Sequence, residues 1–291
     1  MKLHALVKLA LALTLTATGI GCGSADPPPV AGDSADVVSA REVPASKSPE
    51  HAMLAGLWRI TPVAADDMTL RIYETGGGDP AMNGNQLWLG ADNGEGGMFD
   101  LALNVLTVEK AERTAPGKIL LAGQRNGGTS TGDITVEPWQ ATITFTTSNG
   151  AFGSVITVAH DSVEEKVVAS TESSAKFLGY IYGATTDESP DGATIARAFV
   201  EGGGDPAMNG ARVFLSIMSY PEERTYELGL NVAGVKKLEH TSATELRLEG
   251  SEDIMSPSGD IVQRPFAYSV KFQIRPDGVP SDSIKLARLP R

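Results

Sequence analysis

The strongest candidate for chemistry in this chain is a nonapeptide, GGGDPAMNG, that occurs twice, at residues 76–84 (loop 1) and 202–210 (loop 2). Its glycines admit backbone angles that other residues adopt only at a cost. Its Asp-Pro and Asn-Gly pairs favour turns. Each loop offers a carboxylate, an amide and a thioether for binding a metal ion, for acid–base chemistry or for contact with a partner. These groups belong to Asp79, Met82 and Asn83 in loop 1, and to Asp205, Met208 and Asn209 in loop 2.

Calcium is one possible ligand of these loops. Asp79 and Asn83, like Asp205 and Asn209, would supply hard oxygen ligands in a glycine-rich turn. However, one carboxylate per loop is few for an ion that takes six or more oxygens, and the spacing is not that of an EF-hand. The sequence therefore gives only a weak indication of a Ca²⁺ site.

An aspartyl dyad and a partner contact are the other two possibilities. Asp79 and Asp205 are equivalent residues of two related lobes, as are the catalytic aspartates of pepsin-like proteases, which share a proton. The chain lacks the Asp-Thr/Ser-Gly motif of those enzymes. Met82 and Met208 would instead make adaptable apolar contacts at the loop tips. We favour partner contact among the functional interpretations, while plain structural turns would also explain most of the motif.

The loops are the most similar part of a duplicated domain. The two halves of the chain align at an offset of 126 residues before position 220 and of 127 after it. In both halves, apolar and polar residues alternate with a period of two, as in 99–105 and 226–232, which predicts half-buried antiparallel strands. The fold class predicted is therefore all-β: two tandem homologous antiparallel β-sandwich domains, or small barrels, after a disordered tether.

The pattern along the chain also predicts domain boundaries. Residues 22–53 contain few large apolar side chains and are interpreted as the disordered tether. The polar segment 161–175 is interpreted as the joint between copy 1 (54–160) and copy 2 (176–291). In copy 1 the predicted strands are 57–62, 69–74, 86–91, 98–108, 118–123, 134–147 and 154–159.

Residues 1–21 have the pattern of an export signal, with Lys2 and Lys8 preceding a short apolar run. The run ends in Gly19-Ile-Gly-Cys22, directly before the only cysteine in the chain. This ending resembles the lipobox of bacterial lipoproteins, although Gly19 stands where that pattern usually has leucine. The resemblance implies that Cys22 is lipidated and anchors the protein to a membrane. Ordinary secretory cleavage after residue 19 is the alternative.

The residues after Cys22 bear on location, because an aspartate directly after the lipidated cysteine usually favours the inner membrane. Gly23 and Ser24 follow it here, which favours the outer membrane of the bacterial cell envelope. The pattern leaves open whether the protein faces the periplasm or the cell surface.

Charge and missing motifs narrow the function. The net charge of −12 opposes binding to nucleic acid or anionic lipid headgroups, so membrane contact is expected through the lipid anchor only. No nucleophile elbow, phosphate loop or zinc-protease motif is present. We therefore expect a non-enzymatic envelope or surface lipoprotein that binds a protein or polymer partner through its paired loops. The alternatives are a structural subunit that self-associates, and a hydrolase that uses acidic residues from both copies.

Overall fold

The structure is a computed structural model that describes residues 40–65, 68–76, 84–91, 97–128, 134–148, 151–202 and 210–290. The chain divides into two units, Met1–Asp36 and Val37–Arg291, and all described residues belong to the second.

Copy 1 is a sandwich of two antiparallel sheets. A four-stranded sheet has the order β2-β3-β4-β5, and a five-stranded sheet has the order β12-β11-β8-β7-β6. The first contains β2 (Leu57–Ala65), β3 (Met68–Thr75), β4 (Asn85–Ala91) and β5 (Met98–Val105). The second contains β6 (Thr107–Ala115), β7 (Lys118–Gly128), β8 (Ile134–Thr144), β11 (Val155–His160) and β12 (Val163–Val168). A small separate hairpin is formed by β9 (Thr147–Ser148) and β10 (Ala151–Phe152).

The period of two explains how copy 1 builds its core. In β5 the side chains of Phe99, Leu101, Leu103 and Val105 are all buried and face the five-stranded sheet, where they pack with the inward residues of β7 and β8. The predicted strand 98–108 is two strands, because the chain passes from one sheet to the other at Leu106.

Copy 2 repeats this architecture, so the predicted pair of homologous β-sandwiches is confirmed. Its four-stranded sheet has the order β13-β14-β15-β16, and its five-stranded sheet the order β1-β20-β19-β18-β17. The first contains β13 (Ile181–Glu188), β14 (Ile195–Glu201), β15 (Ala211–Ser219) and β16 (Glu222–Val232). The second contains β1 (Arg41–Pro44), β17 (Gly234–Ser242), β18 (Glu245–Met255), β19 (Ile261–Lys271) and β20 (Ser283–Arg288).

The two sandwiches pack against each other through their four-stranded sheets. A third core, separate from the core of each sandwich, lies between these sheets and contains Tyr73, Trp88, Phe199 and Phe214. A short helix, α1 (Ser173–Gly179), contributes Phe177 and Leu178 to it. The central strands of the four-stranded sheets are therefore covered on both faces, which is why six of the eight residues of β3 and six of the seven residues of β14 are buried.

Two predicted boundaries are corrected by the structure. The disordered tether was expected to extend to residue 53, but β1 lies within it and pairs with β20. The joint 161–175 contains β12 and the start of α1. Edge strands are held mainly by main-chain hydrogen bonds, so they need few apolar side chains and leave little trace in composition. Within β1, only Val43 is buried.

Candidate functional site

An arginine from each copy reaches an aromatic ring of the other copy across the shared core. In copy 2, the Arg197 guanidinium carbon lies 3.9 Å from the ring centroid of Trp58 in copy 1. Conversely, Arg71 of copy 1 lies 5.9 Å from the ring centroid of Tyr182 in copy 2. The strand pairing places Trp58 and Tyr182 at equivalent positions. The two halves therefore exchange equivalent cation–π contacts, as the subunits of a twofold-symmetric dimer would.

The contact made by Arg197 is also a buried ion pair. The Arg197 side chain is 1% exposed and donates to Glu223 Oε1 at 2.9 Å. Glu223 also accepts hydrogen bonds from the Ser216 hydroxyl and, at 3.1 Å, from the main-chain N–H of Gly56 in copy 1. Burial lowers the pKa of Arg197, and the charge of Glu223 opposes that shift. The Glu223 carboxylate thus links both copies to one buried cation.

These contacts show where the two loops leave the core. The first residue of loop 1, Gly76, lies against Trp58: a Cβ added to Gly76 would be 3.2 Å from Trp58 Nε1. The first residue of loop 2, Gly202, lies in the same way against Tyr182, at 3.9 Å from Cδ1. Each loop therefore begins beside the arginine in the other copy's strand. Loop 1 starts near Arg197, in the first half of β14, whereas loop 2 follows Glu201, the last residue of β14, so the two loops leave the shared core at opposite ends.

The last glycine of each loop packs tightly against an asparagine of the adjoining strand. A Cβ added to Gly84 would lie 2.0 Å from Asn104 Oδ1, and one added to Gly210 would lie 2.2 Å from Asn231 Oδ1. The two asparagines are equivalent residues of β5 and β16. A larger side chain at either glycine would displace the asparagine, so close packing accounts for this glycine in both copies of the motif.

Charged residues flank loop 2 on both sides. Glu201, directly before the loop, is 3% exposed, and its Oε1 accepts a hydrogen bond from Arg212 at 2.8 Å. Its Oε2 has no hydrogen-bond partner among the residues that the structure describes. Burial raises the pKa of Glu201, and Arg212 partly opposes this. Oε1 of Glu227 lies 3.7 Å from Nη1 of Arg212, the nitrogen that does not contact Glu201.

The corresponding positions at loop 1 carry less charge. Thr75, Gln86 and Asp100 stand where copy 2 has Glu201, Arg212 and Glu227. Here the Gln86 amide donates to Asp100 at 2.5 Å. The two loops have the same sequence, but the side chains next to loop 2 carry more charge than those next to loop 1.

The segment before copy 1 also contacts the surroundings of loop 2. The ring of His51, in a 3-10 helix (His51–Leu54), lies 4.6 Å from that of Phe214 and 5.2 Å from that of Phe177. Its Nδ1 is 2.5 Å from the Ser46 hydroxyl oxygen. Burial lowers the pKa of His51, while Glu227 acts in the opposite direction. This segment is therefore part of the folded unit.

The predicted site residues are outside the described part of the chain. This holds for Asp79, Met82 and Asn83 in loop 1, for Asp205, Met208 and Asn209 in loop 2, and for the predicted lipidation site Cys22. The structure describes the first and last glycine of each loop. The glycines of loop 1 lie at one end of the shared core, and those of loop 2 lie at the other end. Among the described residues, no group of three or more histidine, cysteine or acidic side chains is arranged to hold a metal ion.

The reciprocal arginine contacts were not predicted from the sequence, although a signal for them exists. Arg71 and Arg197 are equivalent, and each interrupts an apolar strand that should have no charge on a buried face. Burying a charge is costly unless it is paired, so an arginine at the same strand position in both copies indicates that each has a specific partner. Trp58 and Glu223 give no such signal, because neither has an identical equivalent in the other copy.

Comparisons with protein-family models, curated proteins and solved structures find no match to this chain. Within the described residues, no helix has the length and apolar character needed to cross a membrane. The positions at which the loops leave the shared core are therefore the basis for a functional proposal.

Proposed function

We propose that this protein is a non-enzymatic, lipid-anchored binding protein of the bacterial cell envelope, and that loops 1 and 2 each bind one site on a protein or polymer partner. The observation that supports this proposal is the position of the loops. Two copies of one nine-residue motif leave a shared core at opposite ends. A molecule with one binding loop at each end could connect two sites on a partner.

The same geometry is less favourable for catalysis by residues from both copies. An aspartyl dyad requires Asp79 and Asp205 to be adjacent, so that the two carboxylates share a proton. Loops that start at opposite ends of the core do not favour a shared site of this kind. The lipid anchor at Cys22 and an outer-membrane location remain part of the proposal on the strength of the lipobox-like residues.

Site-specific photocrosslinking in cells tests the proposed binding function. A photoreactive amino acid at position 82 or 208 is expected to crosslink the same partner from either loop, because the loop sequences are identical. With the photoreactive residue kept in place, alanine at the aspartate and asparagine of one loop (Asp79 and Asn83, or Asp205 and Asn209) should abolish crosslinking at that loop and leave the other unchanged. Substituting both loops should release the partner completely.

The control for this experiment uses two exposed isoleucines at equivalent positions of the β7–β8 and β18–β19 hairpins. Ile134 and Ile261 are 53% and 44% exposed, and they lie outside the loops. Alanine at both positions should leave crosslinking unchanged. Crosslinking to unrelated partners at positions 82 and 208, or partner binding that survives substitution of both loops, would contradict the proposed function.

A further inference from the structure

The outer edge of β20 is completed by a strand from the other end of the chain. In copy 1 the equivalent edge belongs to β11, which pairs with β12, the strand that follows it after a tight turn. In copy 2 the corresponding place is taken by β1, which pairs antiparallel with residues 283–286 of β20. Copy 2 is therefore completed by a segment that precedes copy 1, more than 200 residues away in sequence.

The strand β1 is held by a small number of contacts. Four residues pair with β20, and Val43 is the one β1 side chain that is buried, at 4% exposure. The other three residues of β1 are exposed. A strand with one buried side chain gains little from apolar burial. Detaching β1 would remove one buried side chain, Val43, from the core of copy 2 and none from the core of copy 1.

The edge nevertheless recognises β1 in a specific way. The Arg41 guanidinium donates to the main-chain carbonyls of Leu228 and Gly229, where Gly229 has a positive φ of 56°. Val43 enters the core of copy 2 opposite Ile284 of β20. On the C-terminal side of β1, the Ala45 N–H donates to Asp282 O at 2.7 Å. Copy 2 thus binds β1 in three ways: by main-chain pairing with β20, by an apolar site for Val43 and by carbonyl groups that bind the Arg41 cation.

We propose that the outer edge of β20 also accepts β1 from a second copy of this chain, so that two molecules exchange their N-terminal strands. Such an exchange keeps every contact described above and changes only which molecule supplies the strand. Residues 47–50, between Ser46 and the 3-10 helix His51–Leu54, serve as the hinge, so the contacts of this helix with Phe214 and Phe177 stay in place. The exchanged form, like any dimer, is favoured by high protein concentration. This inference is independent of the loops and of their partner.

Disulfide trapping between two single-cysteine variants tests the exchange. One full-length protein carries Glu42→Cys and the other Lys285→Cys, both with Cys22→Ala to remove the native thiol. Positions 42 and 285 are exposed and directly opposite in the β1–β20 register. Opposed residues of an antiparallel pair have Cα atoms about 4.5–5.5 Å apart, which a disulfide can span. When the two proteins are mixed and oxidised, a 42–285 bond can form only between molecules.

We expect covalent 42–285 dimers whose yield rises with protein concentration. A donor that also carries Val43→Asp should give a yield lower by about tenfold or more, because it loses the one buried apolar side chain of β1. Glu112→Cys, at an exposed residue of β6 in copy 1, replaces Lys285→Cys as the matched control and should give no specific dimer.

A molecule carrying both Glu42→Cys and Lys285→Cys serves as the positive control, since it can close the bond internally. Absence of 42–285 dimers at every concentration, while this double variant closes, would overturn the proposal. Equal yields with the partners at 285 and 112 would also overturn it, because the dimers would then reflect random collision.

Discussion

Replacing Arg197 with methionine is expected to lower the free energy of unfolding by about 3–5 kcal/mol, the cost of removing one partner from a buried ion pair. The guanidinium is 1% exposed, pairs with Glu223 and stacks on Trp58. Methionine fills much of the same volume, but it leaves the Glu223 carboxylate without its counter-charge. Chemical denaturation of the variant and the wild type measures the difference.

Two further variants separate the ion pair from simple packing. Adding Glu223→Gln to Arg197→Met should restore part of the lost stability, because no uncompensated charge then remains. The equivalent substitution in copy 1, Arg71→Met, should cost less, since Arg71 is 8% exposed and lies farther from its ring. A loss below about 1 kcal/mol for Arg197→Met, within the range of an exposed pair, would contradict this role.

Replacing Phe214 with alanine is expected to destabilise the protein by about 3–5 kcal/mol, as for other large aromatic residues in cores. Phe214 is fully buried between the copies and contacts the rings of Phe177 and His51. All three tryptophans of the chain, at positions 58, 88 and 139, belong to copy 1. Tryptophan fluorescence therefore reports whether a substitution in copy 2 destabilises copy 1.

We expect the tryptophan transition of Phe214→Ala to move to a lower denaturant concentration, together with the circular dichroism signal. Val168→Ala, at a 66% exposed residue of β12, serves as the control and should change stability by less than about 0.5 kcal/mol. An unchanged tryptophan transition, with a separate and weaker transition seen by circular dichroism, would mean that the copies unfold independently.

The two sandwiches could be predicted because the pattern that marks each strand lies within a few consecutive residues. Alternation with period two marks the strands, and the duplication indicates that both halves share one fold. The shared core also left a local signal, since strands buried on both faces contain continuous apolar runs. Leu87-Trp88-Leu89 and Val213-Phe214-Leu215 are such runs in equivalent strands, and all six side chains are buried. Alternation with period two assigns one buried face to each strand, so it does not reveal this second buried face.

Other features could not be predicted from the sequence for a physical reason. The pairing of β1 with β20 uses main-chain groups, which every residue carries, so composition and periodicity do not reveal it. The contact between Arg197 and Trp58 joins residues that are 139 positions apart, and only the packing of the two copies brings them together. The residues of the proposed binding site within the loops remain a prediction from their repetition.

The distance between the two loops tests the central claim, that one shared core holds them at opposite ends. Spin labels would be attached at Met82→Cys and Met208→Cys in a Cys22→Ala background, and the distance measured by pulsed electron spin resonance. We expect a distribution centred beyond about 20 Å, given the spacing along strands and between sheets. A distribution centred at a distance short enough for the two loops to form one site would contradict the account.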